Sequence, residues 1–117
     1  MIEGHIKKFV SNEMIKFIVL HHFKSGKKYP YELYAHFSSA SHPHMLELTK
    51  SDFYNIISSL EKQGFIKANS TIVHSDGRAR KYYVITQRGR ETLKSSSRML
   101  QKATKEFLAF LRSEFND

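Results

Sequence analysis

Cysteine is absent from the 117 residues. That one absence removes a disulfide framework, a thiolate metal site and cysteine chemistry together, and it fits a reducing compartment. Long apolar runs are missing as well. The longest, Phe107 to Leu111, has five residues, and Phe17-Ile18-Val19-Leu20 has four, against the roughly 20 that a spanning helix needs, so no membrane partner is expected. Glu3, His5, Lys7 and Lys8 interrupt the stretch where a secretory signal would carry its apolar region. The expected location is therefore the cytoplasm. No internal repeat and no separate linker is present, no serine sits in a nucleophile-elbow context, and no glycine-rich phosphate loop occurs. An enzyme is not expected, nor a cofactor.

Acidic residues are the minority: 11 Asp and Glu stand against 19 Lys and Arg, a net charge of +8 with the seven histidines neutral. The 40% hydrophobic and 13% aromatic content nonetheless describes a chain that folds, and its length suits one domain with a modest core. The excess charge is concentrated. Residues 1–60 carry +2 and residues 91–117 carry +1, while residues 61–90 carry seven basic and two acidic side chains, +5. Such a cluster is either a solvated face or the footprint of a polyanion binder.

Ile2, Ile6, Phe9 and Val10 fall on one helical stripe. Met14 to Phe23 is densely apolar; its length, Asn12 as N-cap and the Ser25-Gly26 stop favour a helix over a buried strand. Pro30 can open a second helix, with Tyr31, Leu33, Tyr34 and Phe37, to about Ser39. Residues 38–44 then read as a polar loop. Thr49 and Asp52 form a near capping box before Phe53, Ile56, Ile57 and Leu60, and Gly64 supplies the stop.

After Gly64 the period changes. Phe65-Ile66, Thr71-Ile72-Val73 and Tyr82 to Thr86 are strand-like, and Asp76-Gly77 between them signals a hairpin. Thr86 then caps a long final helix. Leu93, Leu100 and Phe107 recur every seven residues, with Ala103 and Phe110 between them and Leu111 behind. Such a seam wants a partner helix, either a second copy of the chain or the chain's own N-terminal stripe.

Three helices followed by a basic β-hairpin is the layout of a winged helix-turn-helix, an α+β fold that is mostly α, here with a two-stranded wing. Leu48 to Ile66, ending in Leu60-Glu61-Lys62-Gln63-Gly64-Phe65-Ile66, resembles the recognition helix of the PadR family of transcriptional regulators, including a tyrosine at Tyr54. Tyr31-Glu32-Leu33 is similar to that family's motif in the second helix, and Gly77 to Gly89 to its wing, strand and Thr-x-x-Gly cap. The likeness covers residues 14–115 and points to the short subclass with a single C-terminal helix. Three positions depart from the pattern: Pro30 stands where a glycine is usual, and Ser51-Asp52 where a glycine and a small or polar residue are usual.

The resemblance implies a winged-helix unit over 1–88 and a dimerisation helix over 89–117, in one compact body. A helix in the major groove reads base edges with its N-terminal residues, which here are Lys50, Ser51, Tyr54 and Asn55, with Ser58 one turn on. Arg78, Arg80 and Lys81 around the turn, and Lys28 and Tyr29 before the second helix, suit phosphates. Leu93, Leu100, Ala103, Phe107, Phe110 and Leu111 are the candidate dimer contacts, since two-fold symmetry matches palindromic sites. Expected partners are thus double-stranded DNA and a second copy. A winged-helix adaptor that docks an acidic protein, and an architectural DNA binder without sequence preference, are the alternatives. His21-His22 and His42-Pro43-His44 hint at metal, but neighbouring histidines point to different helix faces and no acidic set accompanies them, so no metal is expected. Phe17, Phe107 and Phe110 could line an effector pocket, yet aromatic stripes at helical spacing are core far more often, and no effector is assigned.

Overall fold

A computed structural model describes residues 14–38 and 48–116. The stripe Ile2 to Val10, the cap Asn12 and most of the polar loop after the second helix lie outside the described residues. Helix α1 covers residues 14–22 and tightens into a 3-10 turn over Phe23–Ser25. It buries Ile15, Val19, Leu20 and Phe23, one face at spacings of four, one and three. Gly26, at φ 137°, ends it in a conformation closed to side chains with a Cβ.

Helix α2 (Pro30–Phe37) has its proline in the first turn, where a missing N–H costs nothing, and Ser38 closes it one residue short of the expected end. Helix α3 (Lys50–Lys62) begins as the sequence indicates: the Asp52 N–H donates to Thr49 Oγ1 at 3.0 Å. It ends in a Schellman motif. The Phe65 N–H donates to the Leu60 carbonyl (2.9 Å) and the Gly64 N–H to that of Glu61 (3.0 Å), with Gly64 at φ 77°. Leu33 and Phe37 from α2 meet Phe53, Ile57 and Leu60 from α3 in the same core as α1. Each such side chain taken from water contributes about 1.5–3 kcal/mol before the entropy of ordering it.

Strands β1 (Ile66–Val73) and β2 (Ala79–Ile85) form an antiparallel hairpin that pairs Ile66 with Ile85 at the base and Val73 with Ala79 near the tip. The two short runs Phe65-Ile66 and Thr71-Ile72-Val73 are therefore parts of one strand. A bulge between Ala68 and Ser70 shifts its register. The turn is a three-residue loop, Ser75-Asp76-Gly77, closed by the His74 N–H on the Arg78 carbonyl and the Gly77 N–H on the His74 carbonyl, both 2.9 Å. Gly77 takes the left-handed conformation that this loop requires, φ 82°.

On the outer edge of β2, Lys28 and Tyr83 exchange two backbone hydrogen bonds of 3.1 and 2.8 Å. This single bridge ties the entry of α2 to the wing. Helix α4 (Gln87–Phe115) follows at once, 29 residues long and about 43 Å at 1.5 Å per residue. Thr86 Oγ1 accepts the Gly89 N–H (3.0 Å) and donates to the Gly64 carbonyl (2.6 Å), so one hydroxyl joins the end of α3 to the start of α4. The architecture is a winged helix-turn-helix with a long C-terminal helix.

Candidate nucleic-acid interface

Helix α3 turns Phe53, Ile57 and Leu60 inward. The helical period then puts Ser51, Asn55 and Ser58 on the opposite side, and all three are exposed. Lys62 continues that stripe four residues after Ser58 and is exposed too. The sequence reading passed over it, although the spacing from Asn55 and Ser58 marks it.

A quarter-turn away, Lys50, Tyr54, Ser58 and Glu61 form one wall of a cleft of about 780 Å³. The start of α2 contributes Tyr29, Pro30 and Tyr31, and the wing contributes Arg78, Ala79, Arg80, Lys81 and Tyr83. Seven of the ten residues singled out for DNA contact thus share one cavity: Lys50, Tyr54, Ser58, Tyr29, Arg78, Arg80 and Lys81. Ser51 and Asn55 lie beyond its rim on the open face of α3. Lys28 is fixed by the bridge to Tyr83.

Cations lie against aromatic faces throughout this region. Lys50 Nζ is 5.5 Å from the Tyr31 ring centre, Lys81 Nζ 5.5 Å from Tyr83, Lys27 Nζ 5.4 Å from Tyr82, and the Arg80 guanidinium 5.3 Å from Tyr29. Ring quadrupoles hold such charges in place without neutralising them. Tyr31, which the sequence places only on the second helix, belongs to this surface: it is 52% exposed.

Asp76 organises the wing turn. Its Oδ1 accepts the Arg78 N–H (3.0 Å) and Arg80 Nη1 (3.1 Å), and its Oδ2 accepts Arg80 Nη2 (2.6 Å). The Arg80 guanidinium, with the Arg78 N–H, holds the Asp76 carboxyl well below the usual carboxylate range, and Asp76 in turn raises Arg80. Behind this pair, Tyr29 meets Tyr82 and His74 edge-on, with ring centres 5.2 and 5.4 Å apart. His74 Nε2 and Tyr82 Oη share a 2.8 Å hydrogen bond. Desolvation, then the nearby Glu32 and Tyr29, push the Tyr82 hydroxyl up.

The six candidate dimer residues divide. Leu93 is 6% exposed and packed in the domain's own core. Leu100 is half-buried beside Phe17 and Ile18 in a groove between α1 and α4. Leu111 is half-buried and Ala103 exposed, while Phe107 and Phe110 are 58% and 56% exposed with ring centres 6.4 Å apart. Of the candidate metal residues, His21 and His22 stand edge-on with ring centres 6.1 Å apart, and His42 and His44 lie outside the described residues. Among the described residues no group of three histidine or acidic side chains could hold a metal ion, and no helix is long and apolar enough to cross a membrane.

Residues 19–95 match the transcriptional regulator PadR-like family. This chain belongs to that family. No curated protein matches it by sequence. Among solved structures, a protein of Streptococcus mutans UA159 is 22% identical with a TM-score of 0.71, the match covering 92% of this chain and 95% of the other. A PadR-like transcriptional regulator of Bacillus cereus is 23% identical with a TM-score of 0.62, covering 82% and 92%. Bacillus subtilis PadR, solved in complex with operator DNA, is 20% identical with a TM-score of 0.59, covering 70% of this chain and 45% of that one. At these identities the likeness is one of fold, and it runs through the PadR-like core described above.

Proposed function

We propose that this PadR-like regulator is a sequence-specific repressor that binds a palindromic operator in duplex DNA as a homodimer, in the cytoplasm at the nucleoid. The observation that carries this reading is the cleft between α3 and the wing, in which seven separately chosen candidates converge. Lys50, Ser51, Tyr54, Asn55 and Ser58 would face base edges in the major groove, where an asparagine can bond adenine through two hydrogen bonds. Lys28, Arg78 and Lys81 would take phosphates, which supply affinity without sequence choice. The first turns of α4 belong with the winged-helix unit through Gly89 and Leu93. The stretch beyond Leu100, with Phe107 and Phe110 exposed, would meet a second copy. The polar face Ser51-Asn55-Ser58 favours DNA over an adaptor role, since a protein-docking helix would carry apolar anchors there.

Binding to duplex DNA across a salt series tests this reading. The logarithm of affinity should fall steeply and linearly with the logarithm of salt, reflecting on the order of 6–10 phosphates per complex. A flat response, or no binding to any duplex, would sink it. Selection from a random DNA pool separates the variants: a palindromic consensus supports the operator reader, and binding without consensus supports an architectural protein.

A further inference from the structure

Arg80 is the best-placed cation of the wing and the least available one. Its side chain is 20% exposed. Two of its guanidinium nitrogens are spent on Asp76, and its face lies on Tyr29. A phosphate could claim it only by breaking a two-point pair with a carboxylate. Asp76 raises the complementary question, because an acid at the tip of a DNA-binding wing repels phosphate and so lowers affinity unless it does something else.

The geometry supplies that role. A lone two-stranded hairpin is marginally stable and free to swing. Among the described residues, the outer edge of β2 has one isolated backbone bridge, at Tyr83. Toward the tip from Tyr83, a side-chain path takes over: Asp76 in the turn grips Arg80, Arg80 lies on Tyr29, and Tyr29 abuts Tyr82 and His74, which are bonded to each other. Tyr29 is also the N-cap residue of α2. The path therefore runs from the wing tip to the helix that packs against α3.

We propose that Asp76, Arg80 and Tyr29 form a clamp that fixes the wing over the cleft, so that Asp76 and Arg80 are positioning residues for the phosphate contacts of Arg78 and Lys81 rather than contacts themselves. The clamp rests on the DNA-binding reading for its purpose but not for its existence. It replaces the expectation that Arg80 holds a phosphate directly.

Three substitutions and two measurements test it. Arg80→Lys keeps the charge and loses both the two-point pair and the flat stacking surface. The clamp predicts that it weakens DNA binding as much as Arg80→Ala, on the order of tenfold for coupled neighbours, with the wild-type salt slope kept in both. Asp76→Asn should weaken binding too, and should add little in the Arg80→Ala background. A phosphate contact predicts the reverse: Arg80→Lys nearly wild type, Arg80→Ala with the slope smaller by about one, and Asp76→Asn tighter than wild type through lost repulsion. Any of those three results overturns the proposal.

Amide hydrogen exchange on the free protein needs no DNA. Arg80→Ala and Asp76→Asn should speed exchange in the hairpin between Ser70 and Tyr82 and leave α3 unchanged, and unaltered hairpin exchange overturns the clamp. Faster hairpin exchange in a protein that binds no duplex would instead retire the DNA reading and leave the clamp standing.

Discussion

Asn55 and Lys81 illustrate how two residues near one site divide the work. Asn55 stands with Ser51 on the open face of α3, exposed and beyond the rim of the cleft. Lys81 lines the cleft with its ammonium over Tyr83. An amide that bonds a base edge contributes only where that base is present, whereas an ammonium meets phosphate on every sequence. Asn55→Ala should therefore cost on the order of 1–3 kcal/mol on the selected operator and almost nothing on scrambled duplex. Competition binding against both duplexes reads this, with an unchanged thermal midpoint because the side chain is exposed. Equal losses on both would remove Asn55 from base reading. The residues that escaped the sequence reading share a reason. Tyr31 fits the apolar spacing of α2 and shows its exposure only once α3 and the wing are in place beside it. Asp76 has an obvious local role as a turn former, and that role hides its grip on Arg80.

At the scale of elements, the junction of α3, the wing and α4 is closed by small groups in close approach. A Cβ on Gly89 would lie 2.2 Å from the Phe65 carbonyl oxygen and 2.8 Å from Ile85 Cγ1. The same carbonyl accepts the Thr86 N–H at 3.0 Å, so the backbone there is already committed. Glycine to alanine inside a helix ordinarily gains up to about 1 kcal/mol. Gly89→Ala should instead destabilise by about 1–3 kcal/mol, the usual cost of overpacking, and urea unfolding would read that sign. The junction and the element ends were legible in the sequence because their signals are local: Gly64 and Thr86 at the junction, Thr49 at the start of α3 and Asp76-Gly77 at the wing tip each dictate their own few residues of backbone. The full extent of β1 was not legible. Lys67, Ala68 and Asn69 are all exposed on a strand with a bulge in it, so polar-apolar alternation fails where the strand is continuous. The bridge from Lys28 to Tyr83 leaves no periodic trace, being one residue pair, yet it brings Tyr29 to the wing.

Over the whole molecule, the apolar seam of α4 changes owner along its length. Leu93 serves the winged-helix core, whereas Met99, Phe107, Phe110 and Phe115 are between 56% and 78% exposed. The sequence shows the seam but not the point of division, because a heptad spacing is the same whether its partner is the chain's own domain or another copy. Large aromatic side chains gathered on one exposed helix face mark an interaction surface, and two-fold pairing through α4 would set two recognition helices at a fixed separation. Replacing both Phe107 and Phe110 by glutamate places charge where the seam must be dry, without touching the core or the cleft. Light scattering after gel filtration should then give the mass of one 13.7 kDa chain where the parent gives twice that. Operator affinity should fall by about 10²–10⁴, the advantage of linking two half-site contacts, while weak binding to a single half-site survives. A parent protein that is already monomeric, or a double variant that stays dimeric, would assign the exposed face of α4 to some other partner.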